Sequence, residues 1–364
     1  MFDLSFPVRN RSGIGTYGNE LLHALRAGGQ DDWQIDAFVV PGFGVKTHTW
    51  QKLADAAGLL WGIEGQLPAI LWRRRPALVH APAFIAPLPP LPCPLVVTIH
   101  DTILEDGWQA FHPAWRLFHR LSVQAAVARA AAILVPSQQT AHDLRRVYAG
   151  TLDTDRVHVI PNGLNPVFRP LPAPVVDGVL ARYHLSSPYV MFAGAQVDRK
   201  NIVRLVEAYA ALRRFRTWPL VIAGPPGNAS QDIDAAVARL GLQGAVHVLG
   251  RVPLDDLVAL LNGAQLFVFP SLYEGSGLPP LEAMACGVPV VASQTAALAE
   301  AVGDAALLVD PTHVASILAG MQRLADDETL RTTLRARGLA RAATFTWQRS
   351  AQATLDVYRQ VAGT

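Results

Sequence analysis

Cys93 and Cys286 are the only cysteines in 364 residues. They stand in unrelated contexts. That excludes a disulfide framework and any cysteine-based zinc spacing, and it fits a reducing compartment. Charge is also scarce: 31 Lys and Arg against 29 Asp and Glu make up 16% of the chain and leave a formal +2. A balance this mild gives no ground for a nucleic-acid partner. Long apolar runs are missing too. Nothing approaches the ~20 apolar residues needed to span a bilayer, and the longest runs, PLVVTI and QLFVFP, have the length of buried strands. The opening MFDLSFPVRNRS lacks the charged start and apolar stretch of a secretory leader. The expectation is a soluble cytoplasmic protein, attached at most peripherally to the inner face of the membrane.

Hydrophobic residues make up 51% of the chain, which excludes disorder. The length exceeds one ordinary core and suggests two α/β domains. Apolar runs at 37–40, 77–80, 95–99, 133–135 and 157–160, then at 189–193, 220–223, 246–249, 266–269, 288–292 and 306–309, read as strands. Most lack polar alternation, as strands buried on both faces do. Helical stripes fill the gaps, for example Ile14, Tyr17, Leu21, Leu22 and Leu25, or Ile202, Leu205, Val206 and Tyr209. The strand–helix alternation predicts a doubly wound α/β architecture. Four prolines in NPVFRPLPAPVVD (165–177) predict an interdomain linker. The second domain is expected to begin with the strand at Tyr189.

Three short motifs suggest chemistry. Gly13-Ile14-Gly15-Thr16-Tyr17-Gly18 is a literal GxGxxG with Asp36 downstream, the pattern of an NAD site. The lead-in VRNRS separates it from any strand, however, and Asp36 precedes its own strand. What remains is a helix start with free amides, open to an anionic or hydroxyl-rich ligand. Asp153-Thr154-Asp155 resembles a DxD metal motif but sits in a polar turn and reads as solvated. Arg73-Arg74-Arg75, beside Leu71 and Trp72, reads as a solvated helix end, with peripheral membrane contact as the alternative.

The segment FPSLYEGSGLPPLEAMACGVPVVAS (269–293) says more. A strand ends at Phe269 and Pro279-Pro280 open a helix, where proline costs no hydrogen bond. Gly287 closes that helix, and a new strand follows. Gly275–Leu278 then lie at a helix N-terminus on the carboxyl edge of the sheet, where α/β proteins bind ligands. Glu274 and Glu282 flank the turn, and a carboxylate can accept from two neighbouring hydroxyls, as in a ribose or a sugar ring. Gly275 and Gly277 allow close backbone approach. Arg199 and Lys200, between a strand and a helix, put two cations where an anionic group could be neutralised.

EGSGLPPLE resembles the E-x7-E signature of retaining glycosyltransferase family 4, of GT-B fold, in the style of bacterial mannosyl- and rhamnosyltransferases of surface polysaccharide assembly. Further pieces follow in the family's order: RSGIGTYGNEL, TIHDTI, VPSQQTAHDLRR, VIPNGLNPVF, FAGAQVDRKN and FTWQRSAQATLDVYRQV. The resemblance implies two Rossmann-like domains facing a central cleft: residues 1–170 on the acceptor side, residues 171–346 binding the nucleotide sugar, and a helix over 347–364 packing back on the first domain. It implies that Glu274, Arg199, Lys200 and His100 are catalytic. Gly13, Gly15, Val252, Gly275, Ser276, Gly277, Leu278 and Glu282 would bind the donor, with Glu282 on the ribose and the Arg251-Val252 backbone beside the base. Asp101 would orient His100 or its loop. Ala195 departs from members carrying a basic residue there, which leaves the diphosphate to Arg199 and Lys200. The implied reaction is metal-free and needs no cofactor. A sugar, with GDP-mannose as leading donor, moves to a glycan or lipid-linked saccharide with retention. The alternatives are an NAD-dependent oxidoreductase using GIGTYG and a non-catalytic sugar-nucleotide-binding protein.

Overall fold

The computed structural model describes residues 1–5, 13–28, 33–40, 57–102 and 113–363. They form two compact units. The first comprises Met1–Gly163 and the stretch from Thr346 onward, and the second is Leu164–Phe345.

The first unit carries β1 (Phe2–Asp3), β2 (Ala37–Phe38), β3 (Val79–Ala81), β4 (Leu95–Thr98), β5 (Ala132–Val135) and β6 (Val157–Val159), in the order β2-β1-β3-β4-β5-β6. The second carries β7 (Val190–Ala193), β8 (Leu220–Ala223), β9 (Val246–Gly250), β10 (Leu266–Phe269), β11 (Val290–Ser293) and β12 (Ala306–Val309), in the order β12-β11-β10-β7-β8-β9. Neighbouring strands in both sheets are parallel. Every residue of β4, β5, β7, β8, β10 and β11 is buried, whereas the edge strands β6, β9 and β12 are partly exposed. Helices on both faces cover the central strands, so their Val/Ile/Leu/Phe runs need no polar alternation. The second sheet follows the dinucleotide-fold order 3-2-1-4-5-6. Its topological switch lies between β7 and β10, and the loops leaving their carboxyl ends flank a crevice suited to ligands.

Two readings of the sequence change. The two-residue β1, next to β2 and β3, was not among the expected strands; two residues carry no periodicity. The proline-rich stretch 165–177 is not a free linker. Leu164 and Phe168 are buried in the second unit's core, and the Leu171 amide donates to Asn262 Oδ1 at 2.8 Å. Ala173–Arg182 is a helix with Pro174 in its first turn. Proline is tolerated there because that N–H has no intrahelical partner. The closing helix Trp347–Ala362 belongs to the first unit. Its stripe of Trp347, Ala351, Leu355 and Tyr358 joins that unit's core, with each large apolar side chain contributing about 1.5–3 kcal/mol.

Candidate active site

In the second unit, β7 runs out at Ala193 into a loop that ends in a short turn at Asp198–Lys200, and β10 runs out at Phe269 into 270–277. The switch-point topology brings these loops together. Lys200 Nζ donates to Glu274 Oε1 at 2.6 Å, and Arg199 Nη1 reaches the same oxygen at 2.9 Å. Ser271 Oγ donates to it as well, at 2.5 Å. Glu274 Oε1 thus accepts three hydrogen bonds, while Oε2 has no partner among the described residues. The Lys200 side chain is 7% exposed and that of Glu274 9%, and the Lys200 ammonium sits 4.5 Å above the Phe269 ring. Burial alone would raise the Glu274 pKa, but Lys200, Arg199 and the hydrogen bonds from Lys200 and Ser271 hold it below its ordinary value. Burial pushes Lys200 down, against the pull of Glu274, and Arg199 beside it acts in the same direction as burial.

Two cations against the single carboxylate of Glu274 give this trio a net positive charge, which the nearby Glu282 offsets to the extent that it is ionised. Arg199 also keeps a buried Nε–H without a hydrogen-bond partner among the described residues. Leaving such a donor unsatisfied costs about 1–3 kcal/mol, and an anionic oxygen beside it would remove the cost. Glu282, four residues into the helix Leu278–Ala285, is pushed up to about 7 by burial, partly offset by Lys200. Burial thus favours its neutral form, and hydroxyl donors would favour the charged form.

The helix Leu278–Ala285 begins after Gly277, whose φ of 74° places it in the left-handed region. A Cβ there would lie 2.8 Å from Ala301 Cβ, so glycine is required by both backbone and packing. Pro279 and Pro280 carry no N–H. The amides of Ser276, Gly277 and Leu278 remain without acceptors among the described residues and define the positive end of the helix. Gly275 lies in the same turn. Val252 follows β9, packed partly buried against the core. The β7 and β8 exits also approach closely, since a Cβ on Gly224 (φ 151°) would lie 1.9 Å from the Gly194 carbonyl oxygen. Asn201 (φ 59°) caps the turn after Lys200, and its Nδ2 donates to Pro270 O at 2.9 Å and Pro311 O at 2.7 Å. Ser271 and Asn201 were not singled out from the sequence. Their role is to hold Glu274 and the two loops, and a lone serine or asparagine gives no periodic signal of that.

The remaining expected residues lie in the first unit. His100 follows β4, and its Nε2–H donates to Pro82 O at 3.0 Å. Burial pushes its pKa down to about 4, so the ring is neutral and Nδ1 is left as an acceptor. The Tyr17 ring meets it edge-on at 4.6 Å. Gly13 and Gly15 open the helix Gly13–Ala27, Gly13 exposed and Gly15 buried. Residues 6–12, which lead into that turn, lie outside the described residues. Asp153 accepts from the Asp155 amide at 3.1 Å and pairs with Arg156 at 3.0 Å, so it caps its own turn. Arg74 pairs with Asp36, and the Arg75 guanidinium stacks on Trp72 at 4.4 Å. Among the described residues no helix is long and apolar enough to cross a membrane.

Two Rossmann-like units with a basic, carboxylate-flanked switch point in the second define a glycosyltransferase of GT-B class. The model for glycosyl transferases group 1 matches residues 184–341, and that for glycosyltransferase family 4 matches residues 12–168. The chain is 34% identical over 72% of its length to O-antigen chain mannosyltransferase B of Escherichia coli, spanning 70% of that protein. It is 29% identical over 87% of its length to the serotype-specific mannosyltransferase WbdA of Escherichia coli, but spans only 40% of it. Among solved structures, sucrose-phosphate synthase from Thermosynechococcus elongatus superposes with a TM-score of 0.76 at 22% identity, covering 97% of this chain and 94% of that one. WaaG, a glycosyltransferase involved in lipopolysaccharide biosynthesis, does so with 0.72 at 18%, covering 100% and 99%. These two likenesses concern the fold. The chain belongs to the family 4 glycosyltransferases and is a transferase enzyme.

Proposed function

We propose that the chain transfers mannose from a nucleotide-activated donor, GDP-mannose, to a hydroxyl of a glycan or lipid-linked saccharide, with retention and without a metal ion. The observation that carries this reading is the pair of enclosed cations, Arg199 and Lys200, gathered on one oxygen of Glu274 at the β7–β10 switch. Their net positive charge and the orphan Arg199 Nε–H fit a diphosphate. The Ser276–Leu278 amides and the dipole of their helix supply further donors to phosphate and sugar. The unused Oε2 of Glu274 suits a hydroxyl of the transferred sugar, Glu282 the ribose diol, and the backbone at Val252 the base. In the first unit, His100 offers Nδ1 to a sugar hydroxyl, and Gly13, where an added Cβ would meet nothing within 4 Å, and Gly15 would bring backbone groups to the ligand. The choice of mannose rests on the mannosyltransferase relatives. A lipid-linked acceptor would bring the chain to the inner face of a membrane.

In the reaction, the bond from the sugar's anomeric carbon to the diphosphate oxygen breaks as the acceptor oxygen forms its bond on the same face. The acceptor proton passes to the departing diphosphate. Arg199 and Lys200 stabilise the charge growing on that group. The test is turnover with GDP-, UDP-, ADP- and dTDP-sugars, read as nucleoside diphosphate release. Release confined to GDP-mannose supports the reading, and release confined to another donor replaces mannose and guanine.

A further inference from the structure

The first unit holds a cavity of about 570 Å³ at the amino edge of its sheet, opposite the edge that carries His100. Its walls come from the segments entering β1, β2 and β3 and from the closing helix. Trp33, Gln34, Asp36, Arg74, Tyr358 and Arg359 supply its chemistry. The volume is that of a small-ligand site, and no part of the proposed transfer uses it.

The lining has two sides. Trp33 presents an aromatic ring tilted 48° to Tyr358 at 5.8 Å between centroids. Polar groups in mutual contact form the other. Arg74 Nη1 bonds Asp36 Oδ2 at 3.3 Å, Gln34 Nε2 bonds Asp36 Oδ1 at 3.4 Å, and Arg359 Nη1 bonds Asp356 Oδ1 at 2.8 Å. Both arginines are thus paired with carboxylates, and the Met1 amino group, the third cation of the lining, donates to Leu78 O at 2.9 Å, lies near Asp36 and has its pKa lowered by burial, so the cavity offers adjacent donors and acceptors with most of its positive charge compensated. A phosphate wants the opposite. A polyhydroxylated ring wants this pattern: vicinal hydroxyls both donate and accept, and the C–H face of a pyranose packs on an aromatic ring. The floor is preformed. Tyr358 OH bonds His80 Nδ1 at 2.5 Å, His80 Nε2 bonds Thr98 Oγ1 at 2.8 Å, and Thr98 bonds Tyr17 OH at 3.0 Å, all buried. A wall held in place before binding loses little freedom on binding.

We propose that this cavity is a second saccharide-binding site for a neutral glycan, separate from the donor site. The proposal does not depend on the donor assignment, because it concerns other residues in the other unit.

The test is isothermal titration calorimetry of the full chain without nucleotide sugar, using α-linked mannotetraose and, separately, maltotetraose. Saturable heat from either is expected, weakened on the order of 10-fold in Trp33→Ala and in Asp36→Ala, the loss of an aromatic face or of a charge-assisted hydrogen bond. Gln34→Ala and Arg74→Ala lie on the exposed rim, keep the core intact, and should each weaken binding about 3-fold or more. Glu282→Ala should leave tetraose binding unchanged. No heat with either sugar, or binding indifferent to all four cavity substitutions, overturns the proposal. Binding of inorganic phosphate in place of both sugars overturns it in favour of an anion site. Titration of GDP into the same proteins tests the donor reading separately: loss of GDP binding in Glu282→Ala leaves the cavity result standing.

Discussion

Lys200→Ala removes the most enclosed cation of the site without dismantling it. Glu274 would keep Arg199 Nη1 at 2.9 Å and Ser271 Oγ at 2.5 Å, so its carboxylate stays anchored and what disappears is one positive charge. Two unit charges ~4 Å apart at an effective dielectric of ~20 interact by about 4 kcal/mol. The bound diphosphate is already charged in the ground state, and that part of the interaction affects KM. If breaking the glycosidic bond adds roughly half to two-thirds of a further unit of charge, the transition state alone loses ~2–3 kcal/mol, or about 30- to 150-fold in kcat. Removing one oxyanion-stabilising donor falls in a similar range. The assay is initial-rate release of nucleoside diphosphate with the donor varied and the acceptor saturating, on protein whose far-UV circular dichroism matches the parent. Lys200→Arg should restore only part of the rate, since a planar fork does not replace a compact ammonium at the same reach. A folded Lys200→Ala enzyme with parental kcat and a raised KM would refute the transition-state role and leave Lys200 as a binding residue.

Glu282 titrates near 7 when unliganded, and ribose hydroxyls favour its ionised form, so bound donor lowers its pKa. Donor affinity should be full above about pH 7 and fall as pH drops through it, by up to ~10-fold per unit, while Glu282→Gln should bind more weakly with a flat profile in direct titration. Gly224→Ala would drive a Cβ into the Gly194 carbonyl at 1.9 Å; a loss of about 3 kcal/mol or more is expected in urea unfolding, and parental stability would contradict that packing. Exhaustive EDTA treatment should leave turnover unchanged, and a collapse reversed by Mg²⁺ or Mn²⁺ would overturn the metal-free mechanism.

The sequence was most informative where the signal is local. Continuous apolar runs such as LFVF mark strands buried on both faces because burial and β-branching act residue by residue. Pro279-Pro280 and Gly287 marked the bounds of one helix, because missing N–H groups and a left-handed φ are properties of single positions. The stretch 165–177 misled for the complementary reason. Proline says where a helix interior cannot be, but Pro174 occupies a first turn, and only packing onto Asn262 and the second core shows that the segment is held.

The sequence by itself therefore determined the α/β class, most strand and helix positions, and a set of charged residues of the right chemistry at loop positions. Which of those residues meet was decided only by the tertiary structure. Strand order set β7 beside β10 and closed Arg199 onto Glu274 across 75 positions, and packing of the helix Trp347–Ala362 into the first unit brought Tyr358 to His80 across 278. Periodicity reports which face of an element is buried, whereas the neighbour an element packs against depends on summed long-range packing, which no local stretch of sequence encodes.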